Sequence, residues 1–228
     1  MKTLTSRAIV ILLTFGSLGC LHGRVFAETN LLINGSFESA SINVVGPSFS
    51  EVVSLRGGST SIQGWTVLGA VVQWYGGPTL DLAASDGTKF LDLTALSTRV
   101  PYAGVRQTVS TVPGQIYSLS FEVSSRADLT TPVTVRTSLS AVMSGPRLQT
   151  FTTPMVISGQ AWTRFSLDFM AANSSTTLDI SGFSASGHTG LDKVSLIATP
   201  IPEPGRWTMM LAGLVVLIAV MRRRRQRR

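Results

Sequence analysis

The chain has one cysteine, two histidines and charged side chains at only 14% of its 228 positions. The thiol, Cys20, lies in a leader-like segment, and removal of that segment leaves no disulfide, no cysteine nucleophile and no thiolate metal site. The body then holds one histidine, His188, in a Gly187-His188-Thr189-Gly190 turn where solvation is the expectation. No GxSxG elbow, HExxH pair or CxxC pair occurs. These absences predict a protein without catalytic machinery, although glycoside hydrolysis needs only two carboxylates and stays open. With 44% hydrophobic residues and so few charges, the chain cannot remain a solvated coil.

Acidic residues are missing from both ends. Residues 1–27 carry three basic side chains and 206–228 carry seven, so the formal charge of +7 and isoelectric point near 10.5 belong to the termini. The stretch between them has nine basic and all twelve acidic residues, a net charge of −3. Such a body has no footprint for phosphate backbones, and no nucleic-acid partner is expected.

Lys2 and Arg7 precede an apolar run over 8–18, the length of a signal-peptide core and too short to span a bilayer. Val25-Phe26-Ala27 supplies a cleavage site, which predicts a signal peptide over 1–27 and a mature chain starting near Glu28. Ser17-Leu18-Gly19-Cys20 is a competing lipoprotein-like site, with Ser where an aliphatic residue is expected. At the other end, residues 208–221 form an uncharged run of 14, followed by arginines at 222–225, 227 and 228. As a helix this run is about 21 Å long, short of the ~30 Å hydrocarbon core. Trp207 at the interface and snorkelling arginines offset most of the deficit, which predicts a transmembrane helix over 207–221 and a cytoplasmic tail over 222–228.

Pro202-Glu203-Pro204 stands just before that helix, and its prolines favour an extended, accessible segment. Together with the helix, the arginine cluster and the signal peptide, the region 200–228 resembles the PEP-CTERM sorting signal of exported Gram-negative proteins. The resemblance implies an exosortase as partner, an inner-membrane intermediate and delivery to the cell surface or an exopolysaccharide-rich matrix.

Between these ends, residues 28–199 suffice for one domain. Tyr117, Leu119, Phe121 and Val123 alternate with Ser118, Ser120 and Glu122, and Phe165, Leu167 and Phe169 repeat the pattern. Residues 133–135 and 178–180 do likewise. Further strands are predicted at 31–33, 51–55, 67–74, 89–94, 104–110, 149–157 and 193–197, separated by glycine- and proline-rich turns. No long apolar 3.6-residue period appears in the body, so the predicted class is all-β, a single jelly-roll β-sandwich.

The segments NLLINGSFE at 30–38, GWTV at 64–67, VVQW at 71–74, DGTKFLDL at 86–93, VPGQIY at 112–117 and LDKVSL at 191–196 occur in the order seen in choice-of-anchor C proteins, relatives of the DUF642 group. This resemblance spans nearly all of the body and implies a galactose-binding-like jelly roll outside the cell. Two departures are the long segment 40–61 and Lys193, which stands where such proteins often carry Asp or Asn.

Asp192 shares the parity of Val194 and Leu196, which predicts a carboxylate on the core side of the last strand. A buried carboxylate needs partners. If the first and last strands adjoin, Glu38, Asp192 and carbonyls near Asn34 form a candidate structural calcium site, with loop N–H capping or pairing to Arg106 or Arg164 as the alternative. Trp74, Tyr75 and Tyr102 lie beside turns and are the candidate sugar platform, whereas Trp65 and Trp162 are expected to plug the core. The resulting expectation is an exosortase-sorted surface protein with a structural or adhesive role. A dedicated carbohydrate-binding module and a matrix glycan hydrolase are the alternatives.

Overall fold

A computed structural model of the 228-residue chain describes residues 29–42, 51–76, 83–93, 103–126, 134–140, 142, 143, 145, 147–154, 160–183, 188–199 and 206–226. The predicted signal peptide 1–27, the motif Pro202-Glu203-Pro204 and Tyr102 lie outside these residues.

The described strands are β1 (Glu51–Arg56), β2 (Thr66–Leu68), β3 (Val71–Gly76), β4 (Lys89–Asp92), β5 (Ala103–Ser110), β6 (Ile116–Arg126), β7 (Thr134–Leu139), β8 (Arg147–Thr152), β9 (Gln160–Met170), β10 (Ser175–Phe183) and β11 (Gly190–Ala198). They form two antiparallel sheets, one ordered β1-β3-β4-β11-β6-β9 and the other β2-β5-β10-β7-β8. From β4 to β7, and again from β8 to β11, each connection crosses from one sheet to the other, which is jelly-roll connectivity. The expected all-β sandwich is what the chain forms.

Alternation explains the layers. Leu119, Phe121 and Val123 of β6 and Leu167 and Phe169 of β9 point between the sheets, where they meet Val105, Val135, Leu139, Leu178 and Ile180 of the facing sheet. Each fully buried side chain of this size contributes about 1.5–3 kcal/mol. Phe121, Phe151 and Phe165 pack ring to ring at 5.2–6.0 Å between centroids. At the open edge, Arg147 of β8 donates to the Asp168 carbonyl of β9 at 2.7 Å and ties the two sheets together.

Two local features depart from expectation. Residues 31–33 form no regular strand, because the Asn30 side chain replaces part of the ladder: its Oδ1 accepts from Leu196 N at 2.9 Å and its Nδ2 donates to Val194 O at 3.1 Å. The segment still lies along β11, through Leu31 N to Leu196 O at 2.8 Å. The second departure lies in β11, whose register with β6 shifts between Asp192 and Ser195 while Lys193 takes φ 52°. This bulge puts Leu191 and Val194, three residues apart, into the same core. Asp192 therefore points to the outer face, opposite Glu122, and not to the core side.

The chain ends in helix α1 (Arg206–Arg225), which contains the predicted segment 207–221. Among the described residues, no helix is long and apolar enough to cross a membrane, because the uncharged run is bounded by arginine at both ends. Its large apolar side chains from Met210 to Met221 are 42–65% exposed, so the sandwich leaves them uncovered.

Candidate functional site

Residues 83–88, the described part of the connection between β3 and β4, lie over the outer face of the six-stranded sheet and are held by three carboxylates. Asp192 accepts from Ser85 N and Asp86 N at 2.8 Å and from Lys193 N at 2.6 Å. Glu122 accepts from the Ser85 hydroxyl, and its other oxygen lies 3.5 Å from Lys193 Nζ. Glu38 accepts from Thr88 N and Lys89 N at 2.7 Å and from Thr88 Oγ1 at 2.9 Å. Loop N–H groups that would otherwise lack partners are thereby satisfied at both ends of one short turn. Asp192 is fully buried under it. Burial pushes its carboxyl up to about 7, aided by the negative charge of Asp86 and opposed by the three N–H bonds.

Asn34 supports a neighbouring turn: its Nδ2 donates to Ser39 O and Gln63 O, and its Oδ1 accepts from Ser39 N. Glu38 and Asp192 thus meet at the same loop, but their oxygens face N–H and O–H donors, and the Asn34 side chain is engaged elsewhere. Among the described residues, no three His, Cys, Asp or Glu side chains gather as metal ligands. As arranged, Glu38 and Asp192 cap loop donors, and the Asn34 side chain bonds its own turn.

Beside this clamp opens a cleft of about 380 Å³, lined by Asn30, Leu32, Asn34, Gly35, Ser36, Asp86, Lys193, Val194 and Ser195. One wall is the segment running along β11, the other is the β11 bulge, and Asp86 stands at the rim. Among the described residues, the non-glycine residues with left-handed backbone are Asn34, Phe37 and Lys193, with φ of 55°, 58° and 52°. All three belong to these walls or the turn behind them. Each such residue costs of order 1–3 kcal/mol, a concentration of strain typical of ligand sites. The Asp86 carboxylate and the Ser36 and Ser195 hydroxyls make no hydrogen bond among the described residues.

The expected sugar platform is distributed differently. Trp74 and Tyr75 are adjacent in β3 and must face opposite ways. Trp74 is 5% exposed in the main core, with its indole N–H on Phe37 O at 2.8 Å, and Tyr75 is 2% exposed on the outer face, stacked on Phe90 at 5.0 Å. Neither offers an open ring. Trp162 lies on the outer face and only half-buried, against the expectation of a core plug. It reaches over Gly190, where an added Cβ would stand 3.1 Å from its ring, and packs edge-on to Phe90 at 5.8 Å. His188, expected to be solvated, instead has Nδ1 2.5 Å from Oδ2 of the fully buried Asp92, whose Oδ1 accepts from Thr189 N at 3.0 Å. Composition gave no sign of this pair, whose members are 96 residues apart.

The fold and site define an all-β jelly-roll module with a polar cleft at the edge of its last strand. The chain belongs to the DUF642 family, described as proteins of unknown function, whose model matches residues 30–190. No curated protein matches the sequence. Among solved structures it is similar to TmCBM61 in complex with β-1,4-galactotriose, at 15% identity and TM-score 0.46 over 75% of this chain and 99% of that one. It is also similar to the CBM22-1 xylan-binding domain of Paenibacillus barcinonensis Xyn10C, at 15% identity and TM-score 0.44 over 68% and 99%. A third similarity is to a family 35 carbohydrate binding module from Clostridium thermocellum, at 9% identity and TM-score 0.42 over 65% and 99%.

Proposed function

We propose that this DUF642 protein is a non-catalytic saccharide-binding module, and that its binding site is the cleft between residues 30–36 and the β11 bulge. The observation that carries this reading is the set of polar groups lining the cleft that make no hydrogen bond among the described residues: the Asp86 carboxylate and the Ser36 and Ser195 hydroxyls. A carboxylate accepts from two neighbouring sugar hydroxyls at once, and serine hydroxyls both donate and accept. A volume of about 380 Å³ lies at the small end of ligand pockets, roughly 300–1,000 Å³, and suits a sugar unit better than a long buried chain. Hydrolysis would need a second carboxylate across the cleft, and among the described lining residues Asp86 is the one carboxylate. Glycan-array screening of the full chain tests this. Asp86→Ala and Ser36→Ala are expected to weaken the best hit at least about tenfold, since each leaves a sugar hydroxyl without its partner. Unchanged binding by both variants refutes the assignment, and turnover of the hit makes the protein a hydrolase.

The same reading places the module at the cell surface. Export, exosortase recognition of Pro202-Glu203-Pro204 and membrane association of α1 are supported by the terminal sequence pattern and by the uncovered apolar side chains of the helix. Glu203→Ala is expected to leave export intact and to hold the protein in the inner-membrane fraction. Normal release by that variant removes the sorting part of the proposal.

A further inference from the structure

The sandwich is electrically lopsided. At the start of β6, four stretches of chain converge: Gly114 N donates to Ala171 O, Ala171 N to Gln115 O, Met143 N to Met170 O and Thr199 N to Ile116 O, all at 2.8–3.0 Å. No charged residue occurs in 107–121, 137–146, 169–178 or 194–202, whose described residues form this end, and Asp168 and Arg147 stand at its border. The loop clamped by Asp192, Glu122 and Glu38 concentrates charge farther along the same sheet. At the uncharged end, apolar side chains stand out into solvent: Val112 is 63% exposed, Met143 62%, Ile116 41% and Met170 39%. Ile116 and Met170 are register partners on one face, and the hydrogen bonds bring Val112 and Met143 alongside them. Scattered exposed apolar residues are ordinary, but a contiguous group without charge marks a contact surface.

The chain leaves the sandwich at this end. Thr199 is bonded to Ile116, and only six residues separate it from Arg206, the first residue of α1. Fully extended, that connection spans no more than about 25 Å. A membrane-associated α1 therefore keeps this end within about 25 Å of the lipid surface. The uncharged run of α1 is itself shorter than a bilayer core, which favours drawing the attached domain close.

We propose that Val112, Ile116, Met143 and Met170 form a lipid-contacting patch that rests in the headgroup region and orients the sandwich on the membrane. The inference rests on the membrane association of α1 proposed above. The cleft residues Lys193, Val194 and Ser195 lie four to six positions before Thr199 on β11, roughly 13–20 Å along the strand. This spacing keeps the cleft in water while the patch meets lipid.

The experiment uses the full chain with phosphatidylcholine–phosphatidylglycerol vesicles. Hydrogen exchange at 112–116 and 142–145 is expected to slow on vesicle binding while exchange at 85–89 does not change. Val112→Asp combined with Met143→Asp is expected to weaken vesicle partition about tenfold or more at an unchanged melting temperature, since apolar contact area sets interfacial affinity. Vesicle binding with unprotected segments and an unaffected double variant overturns the patch and leaves the membrane reading of α1 standing. A full chain that ignores vesicles overturns both. Protection of the same segments without lipid, accompanied by a dimer in sedimentation, assigns the patch to a second copy and also overturns the proposal.

Discussion

Gly35→Ala is expected to lower the melting temperature by roughly 10 °C and to abolish ligand binding in the cleft. An alanine Cβ at this position would stand 1.9 Å from the Val194 carbonyl oxygen and 3.0 Å from its carbon. The obstructing atoms are backbone, in the strained bulge of β11, and they cannot rotate aside. Either the segment 30–37 or the bulge must retreat, breaking Val194 N to Gly35 O at 2.9 Å, Asn30 Nδ2 to Val194 O at 3.1 Å and Leu196 N to Asn30 Oδ1 at 2.9 Å. At about 1 kcal/mol for each bond, with partial exposure of Leu32 and Phe37 added, the loss is about 4 kcal/mol. For a domain of this size, 1 kcal/mol corresponds to roughly 2–4 °C. Gly114→Ala is the control: its φ is +81° but nothing lies within 4 Å, so only the backbone preference, about 1 kcal/mol, is lost. Calorimetry of the two variants should separate them clearly; equal losses would show that segment 30–37 and the bulge accommodate the added Cβ at little cost, so that close approach at Gly35 is not what holds them.

The sandwich was legible because its long strands are half-buried. In β6 and β9 the pleat writes the core directly into the sequence, and Leu119, Phe121, Val123, Leu167 and Phe169 all face inward as the alternation predicts. The same rule carried further than the expectation built on it. Trp162 is out of phase with Phe165, Leu167 and Phe169, which already assigns it to the outer face, and adjacent Trp74 and Tyr75 could never share one platform. Asp192 was misplaced because a single inserted residue reverses parity. The only trace of that bulge is the spacing of Leu191, Val194 and Leu196, three and then two. The cleft left still less trace. Its walls depend on left-handed backbone at Asn34, which tolerates that conformation, and at Lys193, which ordinarily avoids it. No composition or period encodes that geometry, and the pairing of His188 with Asp92 depends on tertiary contact alone.

Wild-type protein is expected to lose stability between about pH 4 and pH 7 through Asp192, by an amount on the order of 4 kcal/mol that the Asp192→Asn variant does not show. In the unfolded chain this carboxyl titrates near 3.9, whereas burial beneath the loop raises it to about 7 in the folded protein. Between those values the folded state holds a proton that the unfolded state has released. Stability must then fall as pH rises, and the dependence ends above about 7, where both states are ionised. The direction is opposite to that of an ordinary salt-bridged aspartate, which adds stability as pH rises. Asparagine cannot titrate, and its amide presents N–H to one of the three donors now held by Asp192, most directly Lys193 N at 2.6 Å. That conflict costs roughly 1–3 kcal/mol at every pH. The variant is therefore expected to be clearly less stable than wild type at pH 4–5, with the gap closing or reversing by pH 7–8. Denaturant unfolding of both proteins across this range measures the difference directly. Parallel profiles would mean that the three N–H bonds keep Asp192 ionised throughout, so that hydrogen bonding, and not desolvation, governs the clamp over the cleft.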